Sequence, residues 1–241
     1  MDIGVPETVA GCGLLMLAIE RLWPGHVQPR VPRWWPRAAA ASALQAAAVY
    51  LAGATWDTWL QSHRPWSADG LGVLAGALAG YLAVTLVYYF WHRARHEVPL
   101  LWRLCHQLHH SPRRIEVITS FYKHPLEILL NGVLSSAILY GLVGLGPTAA
   151  ALAVLATGVA ELFYHWNVRT PHWLGFLIQR PESHRVHHER DRHRLNYSDL
   201  PLWDMLFGTF HNPRPRVIEC GFAPEQEARV GAMLRGQQVA P

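Results

Sequence analysis

Charge is scarce in this chain. Only 16% of its 241 residues are Asp, Glu, Lys or Arg, against about 25% in ordinary soluble domains. Cysteine is scarcer still: Cys12, Cys105 and Cys220 are too few and too scattered for a disulfide framework or a Cys-based zinc site. The first residues hold Asp2 and Glu7 in place of a basic stretch, and no convincing small-residue cleavage site follows, so the start does not read as a cleaved signal. No repeat, low-complexity tract or long linker interrupts the chain, which makes 1–241 a single membrane-embedded domain. Glu-x-x-His pairs are missing as well, which excludes the carboxylate-rich ligand set of soluble di-iron bundles.

Apolar residues fill the gap, at 51% of the chain. Five stretches are long and apolar enough to cross a bilayer, for which about 20 residues are needed: roughly 3–23, 38–60, 70–91, 126–145 and 147–168. The first is the weakest, since it contains Glu7, Glu20 and Arg21. The last two meet at Gly144-Leu145-Gly146-Pro147, a turn that makes them a helical hairpin. Tryptophans at the ends of these runs (Trp23, Trp34, Trp35, Trp66, Trp91, Trp166 and Trp173) suit an interfacial belt. With the N-terminus outside, the inner parts 24–37, 92–125 and 169–241 carry three, six and ten Lys/Arg, and only Arg64 lies in an outer loop. The positive-inside rule then accounts for the pI near 9.2, and no nucleic-acid partner is expected. The expected fold is all-α: a polytopic integral membrane helical bundle of about five membrane segments under a cytosolic helical cap.

Histidine carries the chemistry. Eight of fifteen fall in three clusters: His92 and His96 as H-x-x-x-H, then His106, His109 and His110, and His184, His187 and His188, each as H-x-x-H-H. Spacings of three and four bring imidazoles together on a helix, and one H-x-x-H-H turn can serve two metals. Every histidine except His63 falls at or beyond the cytosolic face in this topology. Imidazole is a ligand for iron, zinc, copper and nickel, and eight exceed what one four-coordinate ion needs, so two ions with about four histidines each are expected. His165, near the cytosolic end of the last span, is a ninth candidate, since an ionisable group at membrane depth is a functional hypothesis by default. The structural alternative is that His165 and Glu161, four residues apart, simply pair. The helix carrying the first box is expected to break at Pro99, Ser111-Pro112 to stop the second, and 173–191 to carry the third with Pro181 near its start.

The boxes, their order and their placement resemble the fatty acid hydroxylase and sterol desaturase superfamily of membrane non-haem di-iron oxygenases. The resemblance covers roughly 80–211, the catalytic region, and leaves 212–241 as a peripheral tail. It includes Phe121-Tyr122-Lys123-His124-Pro125-Leu126-Glu127, His165-Trp166-Asn167-Val168, Arg180-Pro181, Asn196-Tyr197 and the run Leu202 to Thr209. Ser198 after Tyr197 and the run Glu189 to Arg194 depart from the family's pattern. The resemblance implies two iron ions, with zinc able to replace them in purified protein, and dioxygen as co-substrate. It also implies hydroxylation of an unactivated C–H bond of a lipid drawn from the bilayer, or desaturation in some members. Two electrons per turnover imply a separate donor, a ferredoxin-like or cytochrome b-type carrier with its reductase. Arg93, Arg95, Arg113, Arg114, Arg190, Arg192 and Arg194 form a basic face that would dock an acidic carrier or touch anionic lipid.

Around the ligands, His124, Asn167 and Asn196 are candidate outer-shell residues, and Asp199 or Asp204 would fix a ligand's free N–H. His172, His193 and His211 are read as surface residues, His26 and His63 as loop residues. The rivals to hydroxylation are desaturation, a zinc-bound hydrolase on the same boxes, and a metal transport or storage protein. Transport predicts polar residues in the middle of several spans; here the histidines gather at one face.

Overall fold

In a bilayer the backbone must satisfy its own polar groups, and a helix does so within one segment. The apolar runs accordingly become helices in the computed structural model, which describes residues 4–214 and 219–240. In chain order they are α1 (Val5–Leu22), α2 (Trp34–Ser62), α3 (Val73–Glu97), α4 (Pro99–Leu101, the π turn Trp102–His106 and Gln107–His110), α5 (Pro125–Leu142) and α6 (Pro147–His165). Shorter helices follow: α7 (Pro181–His187), α8 (Pro201–Phe207), α9 (Pro224–Glu227) and α10 (Val230–Met233). Seven helical starts carry proline at the first or second position, where its missing N–H costs nothing. Among the described residues there is no strand, only an isolated bridge between Glu189 and Cys220.

Among the described residues four helices, α2, α3, α5 and α6, are long and apolar enough to cross a membrane, the architecture of an integral membrane protein. This corrects the expectation of about five spans. α1 is a helix of 18 residues but carries Glu7, Glu20 and Arg21, and Glu20 is buried for a structural reason. Its Oε2 accepts the backbone N–H of Val117 at 3.1 Å and of Asn167 at 2.9 Å, so α1 braces the cap from below.

The core of the bundle lies where α3, α5 and α6 meet, around Val84, Leu139, Leu145 and Ala153. Gly80 sets that closeness: a Cβ there would lie 2.6 Å from Leu145 Cδ1 and 2.9 Å from Leu139 Cδ2. Small residues at the crossing allow such an approach. The turn at Gly144 (φ 75°) joins α5 to α6 as expected, its carbonyl accepting from Ala68 at the far end of the bundle. The other end carries the cap.

Two expectations about the cap are corrected. The segment after residue 212 is not peripheral where it is described: Phe222, Met233, Val239 and Ala240 pack against Trp34, Trp102 and Tyr122 in one buried cluster. Glu227 there pairs with Arg113 at 2.8 Å. Trp34, Trp91 and Trp166 are not belt residues either, because their indole N–H groups are used internally, by Glu116, Asn131 and the Met16 carbonyl. Trp23, Trp35, Trp66 and Trp173 remain exposed.

Candidate metal centre

α3 ends with His92 and His96 one turn apart, just before Pro99 forces the chain to turn. The redirected α4 then brings His106 and His110 against them. With His187 of α7, these five form one group; His109, His165, His184 and His188 form a second, with the ligand atoms of each group within 4.8 Å of one another. Each H-x-x-H-H box is therefore shared. In α4 the outer pair faces the first group and His109 the second; in α7 the outer pair faces the second and His187 the first. Helical geometry sets the middle histidine of a box apart from the outer pair. At about 100° per residue, i and i+4 differ by about 40°, while the middle histidine lies about 100° from the last.

Backbone carbonyls aim the rings. Nδ1–H donates from His92 to Tyr197 O at 2.7 Å, from His187 to Leu195 O at 2.7 Å, from His165 to Glu161 O at 2.9 Å and from His109 to Tyr122 O at 3.3 Å. A carbonyl can only accept, so Nε2 of each ring carries the free lone pair. His106 Nδ1 donates instead to Glu127 Oε1 at 3.0 Å, and the same oxygen takes the Arg95 guanidinium. Leu195 pays for its role with a φ of 70°, and Asn196 follows at 52°. A branched apolar residue in the left-handed region is strained, and the strain places its carbonyl on His187.

The freed Nε2 atoms converge. His92 and His106 lie 2.9 Å apart, His106 and His110 3.1 Å, His165 and His109 3.3 Å, His184 and His165 3.0 Å, and His188 and His184 3.0 Å. A metal with bonds of about 2.1 Å separates neighbouring ligand atoms by about 3.0 Å at right angles and about 3.4 Å at tetrahedral angles. Nε2 of His96 and of His187 are buried without any partner. Both groups thus fit a transition-metal ion.

Burial holds the cap histidines neutral, the form that ligates. It depresses His106, His109, His110, His184 and His188 well below 6.5, with the neighbouring charges adding to the effect. His187 falls to about 3 and His193 to about 4, burial being the first cause in each. An unfolded chain would take up these protons near 6.5. The metal-free protein is therefore expected to lose stability as pH falls from about 6.5 towards about 3. Its melting temperature should be lower at about pH 5 than at about pH 8, and metal should reduce the difference. An equal melting temperature at both would contradict the burial of neutral imidazoles.

The remaining candidates separate clearly. His165 joins the second group and does not pair with the Glu161 carboxylate, which is bound to Lys123. His124 is no outer-shell residue: its Nδ1 accepts the Leu126 N–H and caps α5. Asn167 clasps the backbone of His26 through both side-chain atoms. Asn196 donates to the carbonyls of Ser183 and His211 and accepts the His211 N–H, so it pins α7 to the loop beyond it. Asp204 holds the Tyr197 and Ser198 amides, acting on His92 only through the Tyr197 backbone. Asp199 touches no ligand but hydrogen-bonds Tyr164; burial, then Glu161, pushes its carboxyl up to about 7.

His193 is not a surface residue. Its ring packs 5.0 Å from His110 and 5.2 Å from Trp102, outside both groups. His172 bonds Asn212 O, and His63 stacks on Trp59 in the open. Of the basic face, Arg95 is buried on Glu127, and Arg113 and Arg114 are partly buried on Glu227 and Glu116. Arg192 and Arg194 remain exposed. Sequence reasoning missed the carbonyls of Tyr122, Leu195 and Tyr197, because a backbone acceptor has no residue signature. It missed Arg95 as a partner of Glu127 because the arginine read as one more topogenic charge.

The family model for fatty acid hydroxylases matches residues 77–209, from α3 through the third box to Thr209. The chain belongs to the fatty acid hydroxylase family. Among its curated relatives is an alkylglycerol monooxygenase of Homo sapiens, 28% identical over 167 residues, 68% of this chain and 36% of the relative. The ornithine lipid hydroxylase OlsE of Rhizobium tropici is 37% identical over 169 residues, 67% of this chain and 50% of the relative. A very-long-chain aldehyde decarbonylase of rice (Oryza sativa subsp. indica) is 28% identical over 140 residues, 56% of this chain and 54% of the relative. The chain thus spans between about a third and a little over half of the relatives it matches. No solved structure matches it. All nine histidines lie within the family's matched residues.

Proposed function

We propose that the protein is a membrane-bound di-iron lipid hydroxylase. The observation that carries the reading is the pair of all-imidazole groups, five and four histidines, lying where the apolar bundle meets its cap. The names of an alkylglycerol monooxygenase and an ornithine lipid hydroxylase among its relatives support a lipid as the substrate and oxygen insertion as the reaction. His92, His96, His106, His110 and His187 would hold one iron, and His109, His165, His184 and His188 the other. Iron bound there would use dioxygen and two electrons to place one oxygen atom in a C–H bond, the second atom leaving as water with two protons.

The chain's own residues supply geometry and dryness. Nδ1 acceptors lock the rings before metal arrives, which limits the reorganisation that binding costs. Trp102, Tyr122 and Phe222 close the cap over the groups and would shield a reactive oxidant from water. A lipid tail reaches the site sideways, from the bilayer. A separate carrier brings the electrons and docks on the cap; the exposed Arg192 and Arg194 are its first electrostatic contacts. The distribution of basic residues supports a cytosolic cap.

Comparison of the lipids of cells with and without the gene tests the reaction. A species heavier by one oxygen is expected to appear with the gene. A product lighter by two hydrogens would make the enzyme a desaturase, and no change in any lipid would leave metal storage as the better reading.

A further inference from the structure

A groove of about 280 Å³ opens between α3 and α6 and ends beside the four-histidine group. Its length is apolar: Ala156, Val159, Ala160 and Phe163 of α6 line it below Tyr164, a run of about 12 Å along the helix. Phe176, Leu177 and Ile178, at its rim or just beyond, are exposed apolar side chains beside α6, a membrane-crossing helix. An exposed apolar rim of this kind belongs in lipid.

The inner end is different. Tyr164, Gln179 and Asp199 line it, and the Tyr164 ring packs 4.4 Å from His184. Gln179 is 5% exposed, and its side-chain amide lies 2.8 Å from His184 Nδ1 and 3.2 Å from the Asn196 carbonyl, so it is spent on the ligand and its surroundings. Asp199 and Glu161 are within electrostatic reach of one ammonium, that of Lys123, and Lys123 is already paired with Glu161. The end of an apolar groove thus offers a carboxylate, hydrogen-bonded to Tyr164, with no cation of its own. Such a charge is costly in a dry site unless it finds a partner.

We propose that this groove takes a lipid bearing a protonated primary amine, its chain along α6 and its ammonium on Asp199. An ammonium brings a positive charge and three donors, which match a carboxylate, while an alcohol brings one donor and no charge. A cation there also restores full ionisation of Asp199. This rests on the reading of the protein as a lipid hydroxylase, and it names the substrate class for the same site: oxidation falls on carbons near the amine, since that end lies beside His184.

Photolabelling tests it, with the full-length metal-loaded protein in nanodiscs and two probes of equal chain length, a diazirine-bearing dodecylamine and the matching dodecanol. The amine is expected to label residues 156–163 about tenfold more strongly, the weight of a charge-assisted hydrogen bond. Asp199→Asn should erase the preference and keep its metal, and Ala156→Trp, which fills the groove, should remove labelling by both probes. Equal labelling in the wild type, a preference that survives in Asp199→Asn, or loss of metal from that variant would each overturn the proposal. Labelling reads binding without turnover, so its failure leaves lipid oxidation standing. A chain that oxidises no lipid can still show the amine preference.

Discussion

His184→Ala is expected to lose the metal of the four-histidine group while the five-histidine group stays filled. Its group would fall to three imidazoles, His109, His165 and His188. Removal of His92 or His96 leaves four on the other side, still enough for a four-coordinate ion. Metal content should therefore respond unequally, with about one equivalent lost in His184→Ala and less in His92→Ala. Turnover should fall in both, by more than the 10–100-fold that loss of an outer-shell partner costs. His165→Ala should behave like His184→Ala, since no structural pairing with the Glu161 carboxylate exists to be broken. Elemental analysis of anaerobically prepared variants measures this. A His184→Ala protein that keeps both equivalents would sink the division into two groups.

That division shows where sequence reasoning stops. The nine histidines, the break at Pro99 and the hairpin at Gly144 are local patterns, set by helix period and proline chemistry, and each is present in the fold. Which group a histidine joins is not local. It depends on how α4 and α7 are rotated against each other, and packing of Val186, Leu108 and the tail residues Phe222 and Met233 decides that. The tail illustrates the same limit. Residues 219–240 look polar because Glu219, Glu225, Glu227, Arg229 and Arg235 interrupt their apolar positions. Yet Met233 and Phe222 reach a cleft lined by Trp34 and Trp102, residues far away in sequence. α1 was misjudged for the opposite reason. Its length and apolarity suggest a span, while Glu20 is committed to two amides of the cap.

Glu127→Ala is expected to be the most destabilising change outside the ligands. Glu127 is fully buried, and its Oε1 receives both Arg95 and the Nδ1–H of His106. Truncation leaves the Arg95 guanidinium, itself 4% exposed, with no counter-charge, and breaking one side of a buried pair costs about 3–5 kcal/mol. For a chain of this size that corresponds to a melting temperature lower by about 6–20 °C. Two effects are mixed in the loss: an orphaned charge, and a histidine whose ring is no longer aimed. A double variant separates them. Arg95→Met with Glu127→Leu removes both charges and fills much of the space, and replacing both members of a buried pair is often neutral or stabilising. The double variant should therefore recover most of the melting temperature. It should not recover metal at the five-histidine group, because His106 still lacks the acceptor that fixes its Nε2 towards the other four, and loss of such an acceptor weakens metal affinity about 10–100-fold. Thermal unfolding in detergent and metal titration of the three proteins measure both quantities. Full metal affinity in the double variant would show that Glu127 neutralises Arg95 and does nothing for the ligand.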